Sequence, residues 1–138
     1  IDLRNEAVRM ATKIAKEINA EVIELAVSVD RNVSKNPFQT ASPEEYVGLF
    51  KHAAFVVTSS FHGTAFSVIF NKPFYSIAHG GDRDSRQITV LENLGLIERF
   101  VSKNDAPSYK TLEYTIPNKK LEEMKKVSLH FLESNLKK

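Results

Sequence analysis

The sequence predicts a single α/β domain built on a parallel, doubly wound sheet. Three observations point there. Short apolar runs alternate with segments of helical period. The runs Ala53 to Thr58 and Pro73 to Ile77 are almost continuously apolar, as strands covered on both faces are. The 138 residues suffice for one core without covalent staples.

Asp2 to Ile18 reads as a helix, with Ala7, Met10, Ala11, Ile14 and Ile18 on one face and Asn19-Ala20 ending it. Glu21 to Val29 carries Val22, Ile23, Val27 and Val29 and reads as a strand. Asp30 to Thr40 is polar, contains Pro37 and reads as a loop. Ser42-Pro43-Glu44-Glu45 is a helix start: Ser42 caps, Pro43 suits the first helical position and Glu45 completes a capping box. Tyr46, Leu49 and Phe50 supply that helix with an apolar face.

A strand over Ala53 to Thr58 then feeds a helix from about His62 to Asn71. The strand Pro73 to Ile77 leads into the polar loop His79 to Ser85. Arg86 to Leu94 follows as a helix with Ile88, Val90, Leu91 and Leu94 inward, closed by Gly95. Arg99 to Val101 is a short strand, and Lys103 to Thr115 is irregular. Pro117 to Leu136 is a long amphipathic helix, with Leu121, Met124, Val127, Phe131 and Leu132 on one side.

Composition narrows the function. Nineteen Lys and Arg oppose seventeen Asp and Glu, too even a balance to imply nucleic acid. There is no cysteine, so disulfides, thiolate nucleophiles and cysteine metal sites are excluded. No run reaches the roughly 18 apolar residues of a spanning helix. Histidine spacing and the scatter of carboxylates argue against a metal. No dinucleotide or Walker glycine pattern and no serine-nucleophile elbow occurs. The chain opens on Ile1 and runs at once into helical pattern, which leads to the expectation of a fragment of a longer protein.

Two segments can carry chemistry. In Thr58-Ser59-Ser60-Phe61-His62-Gly63-Thr64 a buried strand gives way to a helix. A helix N-terminus offers unpaired amides and the positive end of its dipole. Ser59, Ser60 and Thr64 add hydroxyls, Gly63 permits close approach to the backbone, and His62 adds an imidazole that can give a charge or a proton. The other reading is local: caps before a helix, and a glycine for close packing. The second segment, His79-Gly80-Gly81-Asp82-Arg83-Asp84-Ser85-Arg86, leaves the next strand at the same sheet edge, where open α/β sheets bind ligands. Arg83, Arg86 and His79 are candidate anion ligands there, against the alternative of a loop whose Asp84 or Ser85 caps the following helix.

Ser42-Pro43-Glu44-Glu45-Tyr46, Ala54 through Phe66, Asn71-Lys72-Pro73-Phe74 and Ser85-Arg86 before Leu94-Gly95-Leu96 resemble the C-terminal half of polysaccharide pyruvyl transferases. That resemblance, over roughly Ser42 to Leu96, implies the C-terminal Rossmann-like half of a GT-B-type fold, facing an N-terminal half across a cleft. It implies transfer of a pyruvyl group from phosphoenolpyruvate to a sugar of a surface polysaccharide as a ketal. The donor is then a substrate and no separate cofactor is needed. The location implied is cytoplasmic, including the inner face of the membrane. The family histidine of the strand-to-helix turn maps to His62. Several members carry Arg two positions earlier, where this chain has Ser60. The readings set against this one are a sugar-nucleotide glycosyltransferase or epimerase half, with Glu92 or Glu98 gripping a ribose, and a non-catalytic anion-binding module.

Overall fold

The computed structural model of the chain describes residues 3–25 and 42–136. Helix α1 spans Leu3–Ile18 and α2 spans Pro43–His52. Strand β1 is Val56–Thr58, α3 is Phe61–Ile69, β2 is Phe74–Ile77 and α4 is Ser85–Leu94. Strand β3 is Phe100–Val101 and α5 is Thr115–Leu136. Short 3-10 turns occupy Gly81–Asp84 and Ile97–Arg99.

Local chemistry explains the helix ends. The Ser42 hydroxyl accepts from the Glu45 amide while the Glu45 carboxylate accepts from the Ser42 amide at 2.8 Å, so the predicted capping box forms around Pro43. Three helices close alike. Asn19, Asn71 and Gly95 adopt left-handed backbone, with φ of 54°, 54° and 71°. The amide after each reaches back five residues: Ala20 to the Ala15 carbonyl at 2.8 Å, Lys72 to Ser67 at 2.8 Å and Leu96 to Leu91 at 2.7 Å. Each otherwise open carbonyl is thereby satisfied.

Among the described residues the sheet is parallel, in the order β1-β2-β3. Val56 pairs with Phe74 and Thr58 with Ser76, and Ile77 pairs with Val101. Alternation along the strands sends side chains to two faces. Phe55, Val57, Tyr75, Ile77 and Val101 pack with Met10 and Ile14 of α1. Val56 and Phe74 face the other way, into a core with Phe50 of α2, Val68 of α3 and Leu91 and Leu94 of α4. Helices cover both faces, which is the α/β arrangement expected. All four β2 residues are buried, whereas β1 is only partly so. Among the described residues β2 lies between two strand neighbours.

One expectation is refined and one lies partly outside the described residues. Glu21 to Leu25 shows a single bridge residue, Glu24, rather than a strand, and Ala26 to Val29 lie outside the described residues with the loop Asp30 to Thr40. Gly81–Asp84 is a 3-10 turn inside the polar loop. Most of the apolar side of α5 is exposed. Leu121 packs against the core and Pro117 is buried, but Met124, Val127, Phe131 and Leu132 are exposed. Helical period reports amphipathicity; it does not report a partner surface.

Candidate functional site

Because β1 and β2 are parallel and adjacent, with Thr58 opposite Ser76, the loops that follow them leave the same sheet edge side by side. One carries Ser59 and Ser60 into α3, and the other carries His79 to Asp84 into α4. This juxtaposition builds the site.

The turn into α3 is organised by hydroxyls. The Ser60 side chain is the N-cap of α3 and accepts from the Gly63 amide at 2.9 Å. Thr58 Oγ1 accepts from the Ser60 amide at 3.1 Å and lies 3.3 Å from Ser60 Oγ. A Cβ on Gly63 would come within 2.1 Å of Thr58 Oγ1, so the turn closes only around a residue without a side chain. The Gly63 amide is thereby engaged within the protein. The amides of Phe61 and His62, in the first turn of α3, have no intrahelical acceptor and are the ones left for a ligand.

Thr64 is turned inward. It is buried, with Oγ1 donating to the Ser60 carbonyl at 2.9 Å or pairing with Ser76 Oγ at 2.9 Å. Gln87 of α4 is also buried and donates to Ser76 Oγ at 3.0 Å. This chain, Thr64–Ser76–Gln87, ties α3, β2 and α4 together beneath the site. Thr64 supports the turn from below and does not stand on its open side.

His62 is exposed at the second position of α3. Its ring meets Phe61 edge-on with centroids 5.9 Å apart. The Arg86 guanidinium lies over the Phe61 ring, 5.1 Å from its centroid. Phe61 therefore links His62 on α3 to Arg86 on α4. A depression of about 270 Å³ beside it is lined by Phe61, Ser85, Arg86, Thr89 and Val90.

The second loop is fixed by Asp84. This carboxylate is buried, and its two oxygens accept from the His79 amide at 2.9 Å and the Gly80 amide at 2.7 Å. It makes no side-chain cap to α4 and instead folds back on its own loop. Gly80 and Gly81, with φ of 94° and 73°, make that reversal possible. The His79 Nε2 meets the Ser59 carbonyl, joining the two loops directly. Arg83 is exposed on the same 3-10 turn.

Ser59, Ser60, His62, Gly63, His79 and Arg86 thus share one edge of the sheet, with Arg83 exposed on the same loop as His79. Phe61, Ser76, Asp84 and Gln87 belong to the same constellation and were not singled out from sequence as functional. Glu92 and Glu98 do not join it: α4 begins at this edge and carries Glu92 in its last turn, and Glu98 precedes β3 at the opposite end of the sheet. His52 ends α2 and His130 is exposed on α5. Among the described residues no group of three or more His, Cys, Asp or Glu could hold a metal ion, and no helix is long and apolar enough to cross a membrane.

Comparison with known proteins agrees with the resemblance carried by the turn. The family model for polysaccharide pyruvyl transferase matches residues 2–81, which takes in α1 through the Thr58 to Thr64 turn and on to Gly81. It extends further upstream than the motifs quoted above and stops before Arg83 and Arg86. No curated protein and no solved structure matches the chain. With the match covering more than half of its length, the chain belongs to the polysaccharide pyruvyl transferase family.

Proposed function

We propose that this chain forms the donor-binding part of a transferase that moves a pyruvyl group from phosphoenolpyruvate to a sugar, leaving a ketal on a surface polysaccharide. The carrying observation is that His62 stands exposed at the N-terminus of α3, beside two unengaged main-chain amides, within the segment the family shares. Phosphoenolpyruvate brings a carboxylate and a phosphate. Amides at a helix start suit one anion, and the Arg86 guanidinium, held over Phe61, suits another. Arg86 supplies a cation close to where relatives carry Arg in place of Ser60.

Ketal formation needs a proton at the methylene carbon of the enol phosphate. A protonated His62 is positioned to give it, as general acid. The departing phosphate then leaves beside positive charge. A second Rossmann-like half, in a GT-B-like arrangement, would close the cleft over this edge and bring the glycan acceptor. The reaction would run in the cytoplasm or at the inner face of the membrane, where a soluble enol phosphate is supplied.

The test is pyruvyl transfer by the full-length protein from phosphoenolpyruvate to a glycan acceptor. His62→Ala is expected to lower turnover by about 10²–10⁴-fold, the usual worth of a general acid, with the fold retained because the side chain is exposed. Wild-type turnover in that variant would remove His62 from the mechanism. Absence of transfer by the wild-type protein would remove the reaction itself.

A further inference from the structure

His79 is held at both ends. Its backbone amide is fixed by the buried Asp84 carboxylate, and its ring reaches the Ser59 carbonyl through Nε2. A carbonyl oxygen only accepts, so Nε2 carries the hydrogen. In the neutral ring the lone pair therefore sits on Nδ1. The residue is exposed, and Nδ1 has no partner among the described residues. The contact thus fixes the tautomer and leaves a basic nitrogen open, next to the turn that carries His62.

We propose that His79 is the general base of this site and takes the proton of the acceptor hydroxyl on Nδ1. The inference rests on the transferase reading above and adds the residue that activates the acceptor. The step balances. The hydroxyl O–H bond breaks and its proton passes to Nδ1, while the oxygen bonds to the carbon bearing the phosphate. The former double-bond pair takes a proton at the methylene carbon from His62. One proton is received and one is given. A second hydroxyl of the acceptor then displaces phosphate, which departs with that hydroxyl's proton. Two imidazoles, one in the first turn of α3 and protonated, the other on the neighbouring loop with a fixed lone pair, divide the acid and base roles.

The decisive variant is His79→Gln in the full-length protein. The glutamine amide nitrogen reaches the place of Nε2 and keeps a donor for the Ser59 carbonyl, but no lone pair remains at Nδ1. Expected is a fall in turnover of about 10²–10⁴-fold with phosphoenolpyruvate affinity, read by equilibrium dialysis, unchanged within about threefold. Added imidazole is expected to restore part of the turnover of His79→Ala. Full turnover in His79→Gln would show that His79 only bridges the loops. Loss of phosphoenolpyruvate binding in that variant would make it an anion ligand, and absence of imidazole rescue would show no base is missing; any of these overturns the proposal. Normal His79→Gln turnover beside an inactive His62→Ala refutes the base alone, whereas a wild-type protein without pyruvyl transfer refutes the underlying reaction.

Discussion

Replacing Gly63 by Ala tests how the turn into α3 is built. In an unhindered helix the change would stabilise by about 1 kcal/mol, through propensity alone. Here the added Cβ falls 2.1 Å from Thr58 Oγ1, 2.8 Å from Thr58 Cβ and 3.0 Å from Ser60 Oγ. Turning the Thr58 side chain relieves only the first contact, because the second is to a carbon fixed on the strand backbone. The turn must therefore open. Overpacking of this kind costs about 1–3 kcal/mol. Opening also lengthens the Ser60 cap to the Gly63 amide, now 2.9 Å, at a further cost of about 1 kcal/mol. Steric strain and the lost cap outweigh propensity, and the net expectation is destabilisation by about 2 kcal/mol. Urea denaturation reads it directly: with a slope of about 2 kcal/mol/M, the midpoint drops by about 1 M. Thr58→Ala removes the Oγ1 contact, so the double variant should be more stable than the two single effects predict, by about 1 kcal/mol. A Gly63→Ala protein with an unchanged or higher midpoint would refute the claim that close approach to Thr58 dictates glycine here.

Two further outcomes are expected. Arg99 is buried with no carboxylate paired to it among the described residues, donating to the Lys110 carbonyl at 2.9 Å and to the Thr111 carbonyl, its guanidinium 5.5 Å from the Tyr75 ring centroid. Arg99→Ala leaves a cavity and frees the irregular segment before α5, so stability should fall by about 3 kcal/mol, with hydrogen exchange accelerated around Thr111; exchange and midpoint like wild type would mean that the pinning is unimportant. Burial raises the Tyr114 phenol well above its ordinary value, and its hydroxyl donates to the Lys72 carbonyl with the Ser67 carbonyl 3.2 Å away. The folded state keeps this proton while the unfolded chain releases it near pH 10, so the stabilisation is complete below about pH 10 and is lost as pH rises beyond it, at up to about 1.4 kcal/mol per pH unit. Tyr114→Phe should start from lower stability but decline less steeply between pH 9 and about 11; an unchanged slope would contradict the assignment.

Much of this architecture is written locally. Ser42 and Glu45 cap α2 through contacts three residues apart, and Gly95 closes α4 by its own left-handed backbone. Alternation in Phe74–Ile77 assigns its side chains to two helix layers, so the sheet type is legible from four residues. The turn bearing His62 is likewise legible, because strand end, cap and helix start are contiguous in the chain. What tertiary structure decided is every relation across the gap between the loops. Asp84 reads as a cap for α4, yet folds backward onto His79 and Gly80, because two left-handed glycines reverse the chain. Thr64 reads as a ligand hydroxyl, yet points down to Ser76 and Gln87, since helix rotation is set by burying Val68 and Ser67 rather than by the polar turn. The meeting of His79 with Ser59, twenty residues apart, follows only from the pairing of β1 with β2. The apolar stripe of α5 shows the same division: the sequence determines that the stripe exists, while packing determines that it stays exposed. Periodicity and capping are fixed within a turn or two of chain, whereas the direction in which a side chain finds its partner depends on elements that approach only when the core closes.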